Sequence, residues 1–150
     1  MLGKEKVEDM NFSKSIEELE NDFWSEPDFK SSLVINCHAY RKIPLNLIEP
    51  RQIRLLIGQD LGVKYLLPLV VDILENDPHI QCDFFPGDLL FQVTKVKLHY
   101  WKNENELYNK ANGIIIKLNN DVCESTLEFD KIDNDTMMQI NNNWNIIKLN

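Results

Sequence analysis

Pro50-Arg-Gln-Ile-Arg-Leu-Leu-Ile-Gly58-Gln-Asp-Leu-Gly62-Val-Lys-Tyr-Leu-Leu-Pro68-Leu-Val-Val-Asp-Ile-Leu-Glu-Asn-Asp-Pro78 is the stretch on which the fold turns. It reads as two helices joined at a glycine. In the first, Ile53, Leu56, Ile57 and Leu61 recur at the i, i+3, i+4 spacing that lines one helix face. In the second, Leu66, Leu69, Val70 and Ile73 make a face that Leu67, Val71 and Leu74 widen, so burial on most sides is expected. Gly62 suits the left-handed residue that ends many helices. Pro68 lacks an N–H and breaks helix interiors, which places the first turn of the second helix at residues 66–68. Asn76-Asp77-Pro78 stops it.

Outward from this pair, the flanks read as helix too. Ser15-Ile-Glu-Glu18 is a capping-box pattern opening a short helix. Phe23 and Trp24, adjacent large aromatics in a polar segment, are expected on the core, the alternative being a partner surface. A helix starting at Ser31 or Ser32 carries Leu33, Asn36, Cys37 and Tyr40 on one side, with Arg41 and Lys42 at its negative end and Pro44 beyond. Pro86-Gly87 marks a turn, after which Asp88 caps a helix through Leu89, Leu90 and Val93. Residues 93–101 fit a strand or a continued helix equally. Residues 104–118 form a helix with a stripe of Leu107, Tyr108, Ala111, Ile114 and Ile115, weakened by Gly113. The apolar residues after Asn119 read as a short helix mixed with a terminal strand. The expected fold is therefore mainly α: a helical bundle around the central pair, with room for a short β element in the C-terminal third. Residues 1–13 read as a flexible segment and 14–150 as a single domain.

Composition narrows the function. The 150 residues carry 24 acids against 16 Lys and Arg, a net charge of −8. That balance argues against a nucleic-acid surface and favours a basic protein partner. The longest apolar run is interrupted by Lys64 and Asp72, so no membrane span is expected. The charged N-terminus reads as no secretory signal, and three cysteines without paired spacing fit a reducing, cytoplasmic setting. Neither a phosphate-cradling glycine loop nor a nucleophile elbow occurs. Cys37 and His38 diverge on a helix, and the His79-x-x-Cys82 pair lacks two further ligands, so no metal and no cofactor is expected. Asp83 and Asp88 flank the Pro-Gly turn and, with His79 or His99, are the residues a small hydrolase would use; a capped loop is the plainer reading.

The ordered series of Ser15-Ile-Glu-Glu-Leu-Glu20, Phe23-Trp24, Cys37-His-Ala-Tyr-Arg41-Lys-Ile-Pro44, the Leu-Leu-Ile57-Gly-Gln59 and Tyr65-Leu-Leu-Pro68-Leu segments, and Phe84-Phe-Pro-Gly87-Asp-Leu-Leu90 resembles bacterial immunity proteins of contact-dependent growth inhibition, the CdiI type. The resemblance covers residues 14–93. It implies an inert cytoplasmic protein that binds the C-terminal toxin domain of a cognate CdiA effector and neutralises it. Such toxins are often nucleases, RNases among them. The motif residues are mostly Leu, Ile, Gly and Pro, which are scaffold, so specificity is assigned to acidic or aromatic loop residues. Glu75, Asp77, Asp83, Glu104 and Glu106, acids near helix ends or loops, are the toxin-binding candidates. A small hydrolase and a generic acidic adaptor are the rival readings.

Overall fold

A computed structural model describes residues 11–28, 31–121 and 130–148. Its helices are α1 (Ile16–Glu20), α2 (Ser32–Tyr40), α3 (Pro50–Gly58), α4 (Val63–Asn76), α5 (Asp88–Val93), α6 (Leu98–Trp101), α7 (Asn105–Asp121) and α8 (Asn134–Lys148), and no strand occurs among the described residues. The protein is mainly α, as its sequence pattern requires.

The α3–α4 pair is the centre. Ile53, Leu56 and Ile57 from α3 and Val63, Leu66, Leu67, Val70, Val71 and Leu74 from α4 all lie in the core. α4 packs on α3 and α7, α3 also touches α2 and α5, and α5 touches α8. Burial of this kind contributes roughly 1.5–3 kcal/mol per large aliphatic side chain, which makes the pair the main source of stability.

The joint between the two helices differs from the sequence expectation in an instructive way. Asp60, not Gly62, is the left-handed residue that closes α3, with φ 59°. The N–H of Leu61 reaches Leu56 C=O at 2.9 Å and that of Asp60 reaches Ile57 C=O at 3.0 Å, the bonding pattern of a Schellman cap. Gly62 is also left-handed, at φ 64°, but it begins α4. Ile16 explains why glycine sits there: a Cβ would lie 2.6 Å from its Cδ1. Because α4 starts at Val63, Pro68 falls inside the helix and not in its first turn. The ring is buried, and the interruption leaves the carbonyl of exposed Lys64 without its intrahelical donor.

The N-terminal cap behaves as read. Ser15 Oγ accepts from Glu18 N–H at 3.4 Å, and the Glu18 carboxylate accepts from Ser15 N–H at 3.0 Å. Backbone bonds from Leu45 N–H to Lys14 C=O and from Glu17 N–H to Arg41 C=O stitch α1 to the connector after α2. Residues 93–101 are neither strand nor one continued helix: α5 ends at Val93, and α6 is a single turn that buries Trp101.

Helix occupies the place given to a terminal strand. α8 presents Met137, Ile140, Trp144 and Ile147 to the core at helical spacing. Trp144 stacks on Tyr108 at 5.2 Å, meets Trp101 edge-on at 5.2 Å, and donates its Nε1–H to Asn112 Oδ1 at 2.9 Å. Cys123, Leu127, Phe129, Leu149 and residues 1–10 of the N-terminal segment lie outside the described residues.

Candidate functional site

α2 gives this protein its unusual surface. Only Cys37 of the helix and Arg41, its C-cap, are buried. The inner stripe is Val34, Cys37 and Arg41, so the expected apolar side of Leu33, Asn36, Cys37 and Tyr40 is not the buried one. Leu33 and Ile35 are 40% and 46% exposed. The short helix touches its neighbours along one narrow seam, and both flanks face open grooves.

The first groove, about 400 Å³, runs between α2 and residues 24–27. Its α2 wall is Ile35, His38, Ala39 and Lys42, the i, i+3, i+4, i+7 face. Trp24 and Pro27 form the opposite wall. Neither Phe23 nor Trp24 joins the core, contrary to the sequence expectation: Phe23 is 60% exposed. The acids around them favour a solvated segment, and a cation holds it down. The Trp24 ring lies 3.9 Å over the Arg41 guanidinium and meets His38 edge-on at 4.9 Å. Arg41, at 1% exposure, donates from Nη2 to Glu20 Oε1 and to Asp22 C=O, both at 2.9 Å. Trp24 Nε1–H reaches Asp22 Oδ2 at 3.3 Å. Arg41 therefore does more than complement the α2 dipole: it fixes residues 20–24 against the helix. Lys42 reaches back to Glu17 at 3.2 Å.

The second groove, on the other flank of α2, is lined by Asn36, Tyr40, Arg54, Asp83 and Phe84 among others. Phe84 stands 67% exposed, with the Arg54 guanidinium 4.7 Å from its ring centre. Arg54 also pairs with Asp83 Oδ2, through Nη2 at 3.0 Å and Nε at 3.1 Å.

The loop carrying Phe84 is shaped by Asp88, though not as a helix cap. Gly87, at φ 85°, is the N-cap of α5, and Asp88 is the first helical residue. Its buried carboxylate turns backward and accepts three backbone N–H groups: Cys82 on Oδ1 at 2.8 Å, and Asp83 and Phe84 on Oδ2 at 2.9 Å each. The hydrolase set is thus engaged in structure, Asp83 with Arg54 and Asp88 with the loop. His79 Nδ1 accepts the Ile132 N–H at 3.0 Å, and His99 lies in a different groove, beside Lys64 and Glu104. Burial, followed by the charge of Asp88, pushes the Cys82 thiol up to about 12. Among the described residues no cluster of three His, Cys, Asp or Glu is placed to hold a metal, and no helix is long and apolar enough to cross a membrane.

The five acids named from the sequence do not form one patch. Glu75 on α4 and Glu106 on α7 flank the same cation, each 3.9 Å from Lys110 Nζ. Asp77 is the exposed C-cap of α4 and accepts the His79 N–H at 3.2 Å. Asp83 belongs to the second groove and Glu104 to the entrance of α7. What sequence reasoning missed is the Trp24, Arg41 and Glu20 assembly. Its one legible signal was two adjacent aromatics inside a run of acids.

No curated protein and no solved structure matches the chain. The family model described as CDI immunity proteins matches residues 18–111, which contain both grooves, the α3–α4 pair and the Asp88 loop. That match spans more than half of the chain, and by it this protein belongs to the CDI immunity proteins, a family that neutralises CdiA toxins.

Proposed function

We propose that this chain neutralises a basic, nuclease-type toxin domain of its cognate CdiA by covering it with a negatively charged face, performing no reaction of its own, in the cytoplasm of the producing cell. The observation that carries the reading is the charge distribution around α1 and α2. Residues 17–28 hold six acids and no Lys or Arg. Glu17 and Glu20 are answered by Lys42 and Arg41, whereas Glu26 and Asp28 are exposed and form no ion pair among the described residues. A nuclease binds phosphates through Lys and Arg, so a local negative field steers this protein toward such a cleft and competes with nucleic acid there. Glu75, Asp77, Asp83, Glu104 and Glu106 enter the same proposal as contributors to that field. Asp77 is exposed and forms no ion pair among the described residues, while the exposed Glu75 and Glu106 share Lys110 at 3.9 Å each.

The test is a titration of the toxin domain encoded beside this chain, with RNA and DNA as substrates. One equivalent of the protein abolishes cleavage, and the association rate falls steeply as salt is raised. A toxin domain that acts on neither polymer removes the nuclease assignment. Failure to form any complex at micromolar concentration removes the inhibitory reading itself.

A further inference from the structure

We infer that the groove between residues 24–27 and α2 is where the toxin anchors, taking one large apolar side chain that projects from a basic surface. This rests on the inhibitory reading above and names the place and chemistry of the contact. The groove has an apolar lining from Trp24, Pro27, Ile35 and Ala39, of which Ile35 is large, exposed and unsupported by the core, as is Phe23, the sequence neighbour of Trp24. Exposed apolar residues grouped at a rimmed cleft are the arrangement in which a partner's aromatic or aliphatic anchor is desolvated.

Three further observations set the occupant. The wall is already ordered: the Trp24 ring is held by Arg41, His38 and Asp22, and Arg41 is held by Glu20 and the Asp22 carbonyl. A pre-formed wall loses little freedom on binding. Glu26 is an exposed acid of the lining, Asp22 and Asp28 close to it in sequence are exposed too, and among the described residues the cations Lys42 and Arg41 are committed, to Glu17 and to Glu20. Charge complementarity therefore asks for Lys or Arg around the inserted side chain. A second copy of this chain fits badly, because a two-fold contact would set these acids against the same acids.

Two substitutions separate the groove from the field. Ile35→Glu puts a charge on the exposed groove wall without removing an acid, and Ala39→Trp fills the groove with charge unchanged. Binding to the catalytically inactivated toxin domain encoded beside this chain is measured by titration calorimetry and by dissociation kinetics, with thermal melts as the fold control. Each variant is expected to melt like the parent and to bind on the order of 30-fold more weakly or worse, mainly through faster dissociation. Glu26→Gln with Asp28→Asn is expected to slow association at low salt and to leave dissociation unchanged. Parent-like affinity in both groove variants overturns the proposal and leaves the inhibitory reading standing. If the parent itself does not bind, that reading falls and the proposal with it. Sedimentation showing a dimer that Ile35→Glu dissolves, with toxin affinity unmoved, assigns the groove to a second copy and also overturns it.

Discussion

Asp88→Ala distinguishes a structural carboxylate from a catalytic one. The Asp88 side chain is 2% exposed and accepts the N–H groups of Cys82, Asp83 and Phe84 at 2.8–2.9 Å. Hydrogen bonds to a charged group contribute about 1.5–3 kcal/mol each, but Asp83 and Phe84 are exposed, so water recovers part of what their amides lose. The half-buried Cys82 amide recovers less, and removing the carboxylate also relieves its own desolvation. The net loss is about 2–4 kcal/mol, equivalent to a fall in Tm of roughly 5–15 °C for a chain of this size. Asp88→Asn is the informative partner variant. Its amide oxygen can keep the two bonds on the Oδ2 side, while its NH2 faces the Cys82 N–H. Its cost is therefore smaller, about 1–2 kcal/mol. Thermal melts and urea titrations of the three proteins, with circular dichroism to confirm helix content, give the ordering. If Asp88→Ala melts with the parent while abolishing turnover of some substrate, the loop-holding role is wrong and the hydrolase reading is revived.

Gly62→Ala forces a side chain into a left-handed residue against Ile16, and a loss of about 2–4 kcal/mol in urea unfolding is expected. Gly113→Ala in the interior of α7 meets open space and is expected to add about 0.5–1 kcal/mol. Burial raises the Cys37 thiol, and burial with Asp88 holds Cys82 at about 12, so peptide mapping after iodoacetamide at pH 8 should find both unmodified until the protein is unfolded. At acid pH, Asp60 is lowered by its bond from Lys97, Asp133 by the Thr136 N–H and Glu18 by Ser15. Folded values below unfolded ones contribute stability above about pH 4–4.5, lost as pH falls through the folded values, so Tm should decline below that point. Tyr100, raised to about 12 by burial and then by Asp60, has the opposite sign. Its contribution is whole below about pH 10 and is lost between there and 12, which a phenolate absorbance titration alongside melting will show.

The central helices were legible because their signal is periodic: the stripes of α3, α4 and α7 recur as the pattern demands, and the Ser15 capping box is local chemistry. Pro68 misled because the start of α4 is set by Ile16 pressing on Gly62, a contact from 46 residues away that no local rule contains. Asp88 misled in the same manner, since a carboxylate at a helix start can cap forward or turn back, and only the path of residues 82–84 decides. α2 was the hardest element. Its composition is apolar enough for a core helix, yet its buried stripe ends in Arg41, which sequence reading assigned to the helix dipole. The aromatic surface followed from that one misreading, because without a buried guanidinium beneath it Trp24 has no reason to stay outside the core. The α8 stripe of Met137, Ile140, Trp144 and Ile147 does keep helical spacing, but the exposed Met138 and Ile146 and the asparagines among them blur it, and its anchor, Trp144 between Tyr108 and Trp101, is tertiary.

Hydrogen–deuterium exchange of this chain, alone and with its toxin domain bound, reads the contact face directly. Slowed exchange concentrated in residues 20–42, with the α7 and α8 amides unchanged, is the result expected of an inhibitor that docks through Trp24 and α2. Protection confined to α7 and α8, with residues 20–42 exchanging as they do in the free protein, would contradict it.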